Sequence, residues 1–343
     1  MGLALLCLAV VPGTVHGQAT EELEKVWSRV VGYPSAPPPL ACDINLDGRM
    51  EVIQGGVTNE VSALDPSTGK VLWKTDLSKE IAGAQRYQLF TPVAGHFLGN
   101  NRINIVVATR GTRCFVLDGP TGDINMHFDT PFPLWLPPTV FPWTSGEDET
   151  FPYREGLLLY DMAETRIHGY LLNGRQMDEI FHYDTRGQLI APPVVARTAL
   201  NAPPPHVAWI TAEGWVTVLP ARNPAAAVSR LLDTQIQTEL GLTMADLNGD
   251  GACEIVATDK GGYLYALQIK DGKPTPFWQQ TVNGKPEPLA RLRIQDQPAY
   301  PPVAIDVDHD GSDDLLIPRP RGYGLINGKT GQPFWSPDAS TPF

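Results

Sequence analysis

Three short stretches of this chain set oxygen-bearing side chains at alternate positions around a glycine. They run from Asp43 to Glu51, from Asp246 to Glu254 and from Asp306 to Asp314. In each, Asp, Asn or Asp, Asp, and Glu or Asp occupy positions 1, 3, 5 and 9, with Gly48, Gly251 or Gly311 at position 6. Calcium takes six to eight oxygens at about 2.3–2.6 Å, and alternate residues of a tight loop turn their oxygens to one side. The expected ligands are Asp43, Asn45, Asp47 and Glu51; Asp246, Asn248, Asp250 and Glu254; and Asp306, Asp308, Asp310 and Asp314. Backbone carbonyls at position 7, from Arg49, Ala252 and Ser312, are the natural additional oxygens. Asp, Asn and Gly also decorate ordinary turns. The same four-ligand spacing in three places is what favours about three calcium sites. Their expected role is structural, because crowded carboxylates repel and cation binding to the native loop adds to folding stability.

Stepping outward from the loops, each is entered from a Pro- or Thr-led apolar triplet and left through Val-Ile, Ile-Val or Leu-Leu, so each joins two strands. The same frame recurs where the acids are missing, from Pro92 to Val107 and from Pro193 to Trp209, and in a more distorted copy from Pro138 to Tyr160. First positions fall near 43, 96, 142, 197, 246 and 306. His96-x-Leu98-x-Asn100 and Arg197-x-Ala199-x-Asn201 are expected to be metal-free turns. Downstream of the loops a hairpin recurs, clearest as Val61-Ser62-Ala63-Leu64-Asp65-Pro66-Ser67-Thr68-Gly69-Lys70-Val71-Leu72-Trp73. Four strands per copy at a period of about 40–50 residues predict an all-β fold, a β-propeller of six, possibly seven, four-stranded blades. The blades are expected near 36–77, 89–130, 134–184, 190–233, 240–282 and 298–336. The run 25–30, which resembles an outer strand but precedes the first loop, is expected to seal the last blade.

With position 9 leading straight into a strand, the loops resemble the FG-GAP/VCBS-type repeats of integrin α-like calcium-binding propellers. That resemblance implies the same twelve side chains as ligands. The run Ala63-Leu64-Asp65 to Trp73 is also similar to the tryptophan-docking repeat of quinoprotein dehydrogenases, and implies that Trp73, Trp278 and Trp335 pack between blades. Adjacent cysteines are absent from the sequence, so pyrroloquinoline quinone is not expected. The stretch from Leu72 to Tyr87 resembles rhamnogalacturonan lyases, calcium-loaded propellers acting on pectin. This gives the enzyme alternative, with His96 or Arg86 as candidate groups for proton abstraction or uronate neutralisation.

Composition narrows the partners. The chain of 343 residues carries 33 Pro and 32 Gly beside 42% hydrophobic residues, a turn-dense composition that suits many short strands. Its formal charge of −12 lacks the basic footprint that nucleic acid requires. Residues 1–17 begin with an apolar run and end in small residues, as a signal peptide does, leaving 18–343 as one propeller domain without a membrane span. The remaining Cys42, Cys114 and Cys253 are odd in number and sit in apolar runs, which predicts buried thiols rather than a disulfide framework. The seven His residues fall on no recognised ligand motif, and hydrolase and nucleotide signatures are missing. The segment from Pro131 to Tyr153 is rich in aromatics and carries Glu147-Asp148-Glu149; it is either a ligand platform or a loop folded over apolar surface. The reading is a secreted, periplasmic or cell-surface propeller that binds an extracellular protein or glycan without turnover.

Overall fold

The computed structural model describes residues 3–11, 22–32, 37–56, 59–80, 88–99, 101–143, 154–173, 176–196, 206–220, 226–232, 241–259, 261–270, 273–282, 285–289, 291–294, 301–319 and 322–334. Nearly all of them lie in antiparallel strands and turns, and among them a 3-10 turn at Leu77–Glu80 is the longest helical piece. No helix among the described residues is long and apolar enough to cross a membrane.

The fold is a β-propeller. Its first blade pairs Leu40–Cys42, Glu51–Gly55, Glu60–Leu64 and Val71–Asp76 in sequence order. The second pairs Val93–Gly95, Asn104–Ala108, Arg113–Asp118 and Ile124–Asp129; the third Thr139–Trp143, Arg154–Asp161, Arg166–Asn173 and Gln176–Asp184. The fourth pairs Val194–Ala196, His206–Ile210, Trp215–Pro220 and Val228–Leu231, and the fifth Thr243–Ala245, Glu254–Thr258, Tyr263–Lys270 and Lys273–Pro276. The sixth has Val303–Ile305, Asp314–Arg319 and Gly322–Ile326, with a bridge from Ile326 to Pro333 at the place of its fourth strand.

Residue patterns explain the strand types. The second strands Asn104–Ala108 and Glu254–Thr258 are buried at every position, as continuous apolar runs covered on both faces must be. The outer strands Val71–Asp76 and Ile124–Asp129 carry exposed charged and polar side chains between buried ones, which fits a sheet edge wetted on one side.

By contact density the chain divides into two compact units, Met1–Gly156 with Tyr170–Asp178, and Leu157–Gly169 with Glu179–Phe343. In the first unit, Ile53, Val61 and Trp73 of the first blade pack with Ile105, Val107, Phe115 and Leu117 of the second. In the second unit, Ile210, Val216 and Val218 pack with Ile255 and Tyr265, and Val256, Leu264 and Trp278 with Leu315 and Ile317. The first and second, the fourth and fifth, and the fifth and sixth blades therefore each share an apolar layer, and each fully buried Ile, Leu or Phe in such a layer contributes about 1.5–3 kcal/mol.

Tryptophans fasten these layers. Trp73 donates from Nε1 to the Gly119 carbonyl at 2.8 Å, and Trp278 donates to the Gly328 carbonyl at 2.8 Å. Trp27 makes the same contact one blade earlier, to the Pro66 carbonyl at 2.6 Å. The rings lie over Gly122, Gly331 and Gly69, all left-handed, where a β-carbon would meet the indole. Trp73 and Trp278 thus pack between blades as their motif implies, whereas Trp335 lies outside the described residues.

The run 25–30 differs from its expectation. As part of Glu22–Gly32 it pairs with Leu3–Val11, within the expected signal segment. A nearby antiparallel partner costs less loop-closure entropy than one at the far end of the chain.

Candidate metal centres

The three acidic loops share one conformation. Position 4 is left-handed in each, at Leu46 (φ 61°), Gly249 (75°) and His309 (58°), and so is position 6, at Gly48 (86°), Gly251 (83°) and Gly311 (84°). A bulky residue in this region is strained by about 1–2 kcal/mol, so Leu46 holds it only because the rest of the loop demands it.

What demands it is a repeated hydrogen-bond scheme. The amide at position 5 donates to Oδ1 of position 1 at 3.1 Å in all three loops. The glycine amide at position 6 donates to Oδ2 of the same residue, at 2.8 Å for Asp43, 2.7 Å for Asp246 and 3.1 Å for Asp306. Oδ1 of Asn45, Asn248 and Asp308 accepts the position 5 amide at 2.9, 2.8 and 3.2 Å. Oδ1 of Asp47, Asp250 and Asp310 accepts the amides of Arg49, Ala252 and Ser312 at 2.9, 2.8 and 2.9 Å. Glu51, Glu254 and Asp314 close each loop by accepting the amides of Ile44, Leu247 and Val307. Backbone donors thereby fix one side of each of these side chains, and an ionised carboxylate, which offers about four acceptor sites, keeps lone pairs that could take a cation. Asp306, Asp308 and Asp314 bring carboxylate oxygens within 4.8 Å of one another.

Burial adds an electrostatic demand. Position 9 is almost sealed, with Glu51 and Glu254 at 4% exposure and Asp314 at 1%. Burial and then the neighbouring Asp250 and Asp246 outweigh the Leu247 amide and push the Glu254 carboxyl up to about 8. Burial likewise raises Glu51, against the Ile44 amide, and Asp314, against the Gly328 and Val307 amides. A buried carboxylate either takes a proton or faces a positive charge. In the sixth blade Lys329 pairs with position 5, its Nζ 2.8 Å from Asp310 Oδ2.

The fifth and sixth loops also touch. The Asp246 amide donates to Asp313 Oδ2 and the Asp313 amide to the Asp246 carbonyl, both at 2.8 Å. A β-carbon on Gly249 would stand 2.7 Å from the Gly311 carbonyl oxygen. The two acidic loops are therefore one surface rather than two isolated turns.

In the second blade the same frame is filled differently. The His96 amide donates to Glu155 Oε2 at 2.5 Å, its Nδ1 lies 3.6 Å from the same oxygen, and buried Asn104 stands at position 9. His96, a candidate base in the enzyme alternative, is thus held in a contact with the third blade's Glu155, while Arg86 and the copy at 197–201 lie outside the described residues. Cys42 and Cys253 have thiols pushed up to about 11 by burial and then by nearby acids, and Cys114 is raised by burial in the same direction. All three are free thiols that stay protonated at neutral pH. Of the aromatic segment, Thr139–Trp143 is a strand with Phe141 buried, Leu134 is buried and Trp135 is half exposed; residues 144–153 lie outside the described ones.

One further cluster carries no signature in the sequence. His168, Glu179 and His182 bring ligand atoms within 4.8 Å of one another on the third blade. The two histidines are fourteen positions apart on different strands, so only strand pairing brings them together, and no local motif marks them.

Residues 20–140, about a third of the chain, match the family profile described as outer membrane protein assembly factor BamB. No curated protein matches the sequence significantly. Among solved structures, the chain is similar to BBS1N in complex with ARL6DN, soaked with mercury, at 9% identity and TM-score 0.56, covering 88% of this chain and 81% of that one. It is similar to BamB from Moraxella catarrhalis at 16% identity and TM-score 0.47, covering 88% and 74%. It is also similar to the exotype rhamnogalacturonan lyase YesX at 15% identity and TM-score 0.49, covering 97% of this chain and 60% of that one.

Proposed function

We propose that this chain is an exported, calcium-bound β-propeller that presents a rigid surface to a partner protein and performs no turnover of its own. The observation that carries the calcium reading is the shared hydrogen-bond scheme of the loops at 43–51, 246–254 and 306–314. Three loops with different intervening residues adopt one conformation, left-handed at positions 4 and 6, that turns carboxylate and amide oxygens onto the same backbone amides. The ligands would be the side chains at positions 1, 3, 5 and 9, with the carbonyls of Arg49, Ala252 and Ser312 beside them. Calcium there neutralises buried charge and fixes the turn between the first two strands of its blade, a structural task.

The interaction reading draws support from the match of residues 20–140 to a family described as an assembly factor, and from a solved propeller of like fold that carries a protein partner. An exported location, periplasmic or at the cell surface, follows the same match together with the apolar segment at 1–17. A glycan is the other partner class the sequence suggested.

Thermal melts of the purified protein with calcium and with chelator test the metal: a higher melting temperature with calcium and about three bound ions by elemental analysis are expected. An unchanged melting temperature with no bound ion overturns it. Incubation with pectic and other acidic polysaccharides, following absorbance from unsaturated products, tests the absence of turnover; sustained product formation defeats that part.

A further inference from the structure

The third blade carries a donor set of a different chemical kind from the acidic loops. His168 lies on the strand Arg166–Asn173 and Glu179 and His182 on the neighbouring Gln176–Asp184. In a regular strand, residues three apart point to opposite faces. Here the alternation of exposed and covered positions along Gln176–Asp184 breaks at Asp178–Glu179 and again at Ile180–Phe181, and Glu179 and His182 come to the same side. His182 Nδ1 lies 2.9 Å from Glu179 Oε1, and His168 Nδ1 lies 3.4 Å from Glu179 Oε2. The two imidazole centroids are 5.8 Å apart.

We infer that His168, Glu179 and His182 form a site for a divalent transition-metal ion of the zinc class. Two imidazoles and a carboxylate are a donor set that zinc takes with a fourth position left open, and imidazole selects such ions over calcium. Ligand atoms at about 2.0–2.1 Å from a tetrahedral zinc stand roughly 3.3–3.4 Å apart. The spacings in this cluster are already close to that, and Glu179 and His182, both solvent-accessible, can adjust by rotation. His168 is 8% exposed, so one ligand is fixed by packing while the others close from the solvent side. His182 also lines a recess of about 500 Å³ with Arg166, Tyr183, Asp184 and Arg186.

A second group around the same imidazole, Asp161 and Glu164, also has ligand atoms within 4.8 Å of it. Those carboxylates are committed elsewhere: Asp161 Oδ1 accepts the amides of Ala163 and Glu164, and Glu164 is paired with Arg166 at 2.8 Å.

The test uses the full-length protein, stripped with chelator and refilled with excess calcium so that the oxygen-rich loops are not the reporter. Zinc titration is expected to give one tight equivalent, and cobalt to give the intense visible absorption of a tetrahedral site. His182→Ala and Glu179→Gln, at solvent-accessible positions, should keep the metal-free melting temperature while weakening zinc binding by roughly tenfold or more and removing the cobalt band. Asp246→Asn should leave the cobalt band unchanged, so failure of the calcium reading and failure of this one are distinguishable. Absence of a tight zinc equivalent in the unmodified protein, or zinc binding and a cobalt band unaltered by both third-blade variants, overturns the site and leaves a hydrogen-bonded His-Glu-His cluster.

Discussion

Asp246 and Asp313 hydrogen-bond each other in both directions, amide to carboxylate and amide to carbonyl, each at 2.8 Å. One is the first residue of the fifth-blade loop; the other stands beside the last ligand position of the sixth. Cation binding that orders either loop therefore orders an anchor of its neighbour, and the two sites should be thermodynamically coupled. Calorimetric titration of Asp313→Ala is expected to show weaker calcium binding at both loops and a lower melting temperature, with the first-blade loop unaffected. Loss confined to the sixth-blade loop would count against the coupling.

Buried Glu254 makes the cation-free protein sensitive to pH. Its folded carboxyl is pushed from the ordinary 4.5 up to about 8, so the folded state holds a proton that the unfolded chain has lost. This contribution to stability is fully present below about pH 4.5 and is lost as pH rises through about 8, with Glu51 and Asp314 acting in the same direction. Melting temperatures in chelator should fall from pH 5 to pH 9, and calcium should flatten the decline. Calcium binding near pH 7 should also release a proton, which titrations in buffers of different ionisation enthalpy would detect.

The tryptophan contacts predict unequal costs for two glycines with similar backbones. Gly122 has φ 74° and a β-carbon there would lie 2.5 Å from the Trp73 ring, whereas Gly48 has φ 86° and open space around it. Gly48→Ala should cost about 1–2 kcal/mol, the backbone strain alone. Gly122→Ala should cost clearly more by denaturant unfolding, and Trp73→Phe about 1 kcal/mol for the lost hydrogen bond. Equal costs at the two glycines would show that the indole does not lock the blades.

Lys329 occupies part of the charge vacancy in the sixth-blade loop, and its ammonium is raised by the hydrogen bond to Asp310 and by the charges of Asp310, Asp308 and Asp306. Lys329→Ala is therefore expected to strengthen calcium binding at that loop, read by calorimetry, because a competing cation is removed. Weaker binding in this variant would mean that Lys329 positions Asp310 rather than competing.

The amino-acid sequence by itself determined the blade frame, the shared conformation of the acidic loops and the tryptophan contacts. Each depends on neighbours a few residues apart: alternation sets strand faces, glycine at position 6 permits the left-handed turn, and Asp-x-x-Thr-Gly closes the hairpin on which an indole rests. The loop geometry was legible for that reason, since the contacts of Asp43, Asn45 and Asp47 with the amides of residues 47–49 lie within a single turn of chain. Tertiary structure alone decided that Asp246 meets Asp313, that Glu155 fills the loop of His96, and that Glu22–Gly32 pairs with Leu3–Val11 rather than with the last blade. It alone brought His168 to Glu179 and His182, through two breaks in strand alternation. Contacts between strands and between blades are set by register and packing, and no local spacing in the chain encodes which residue will lie opposite which.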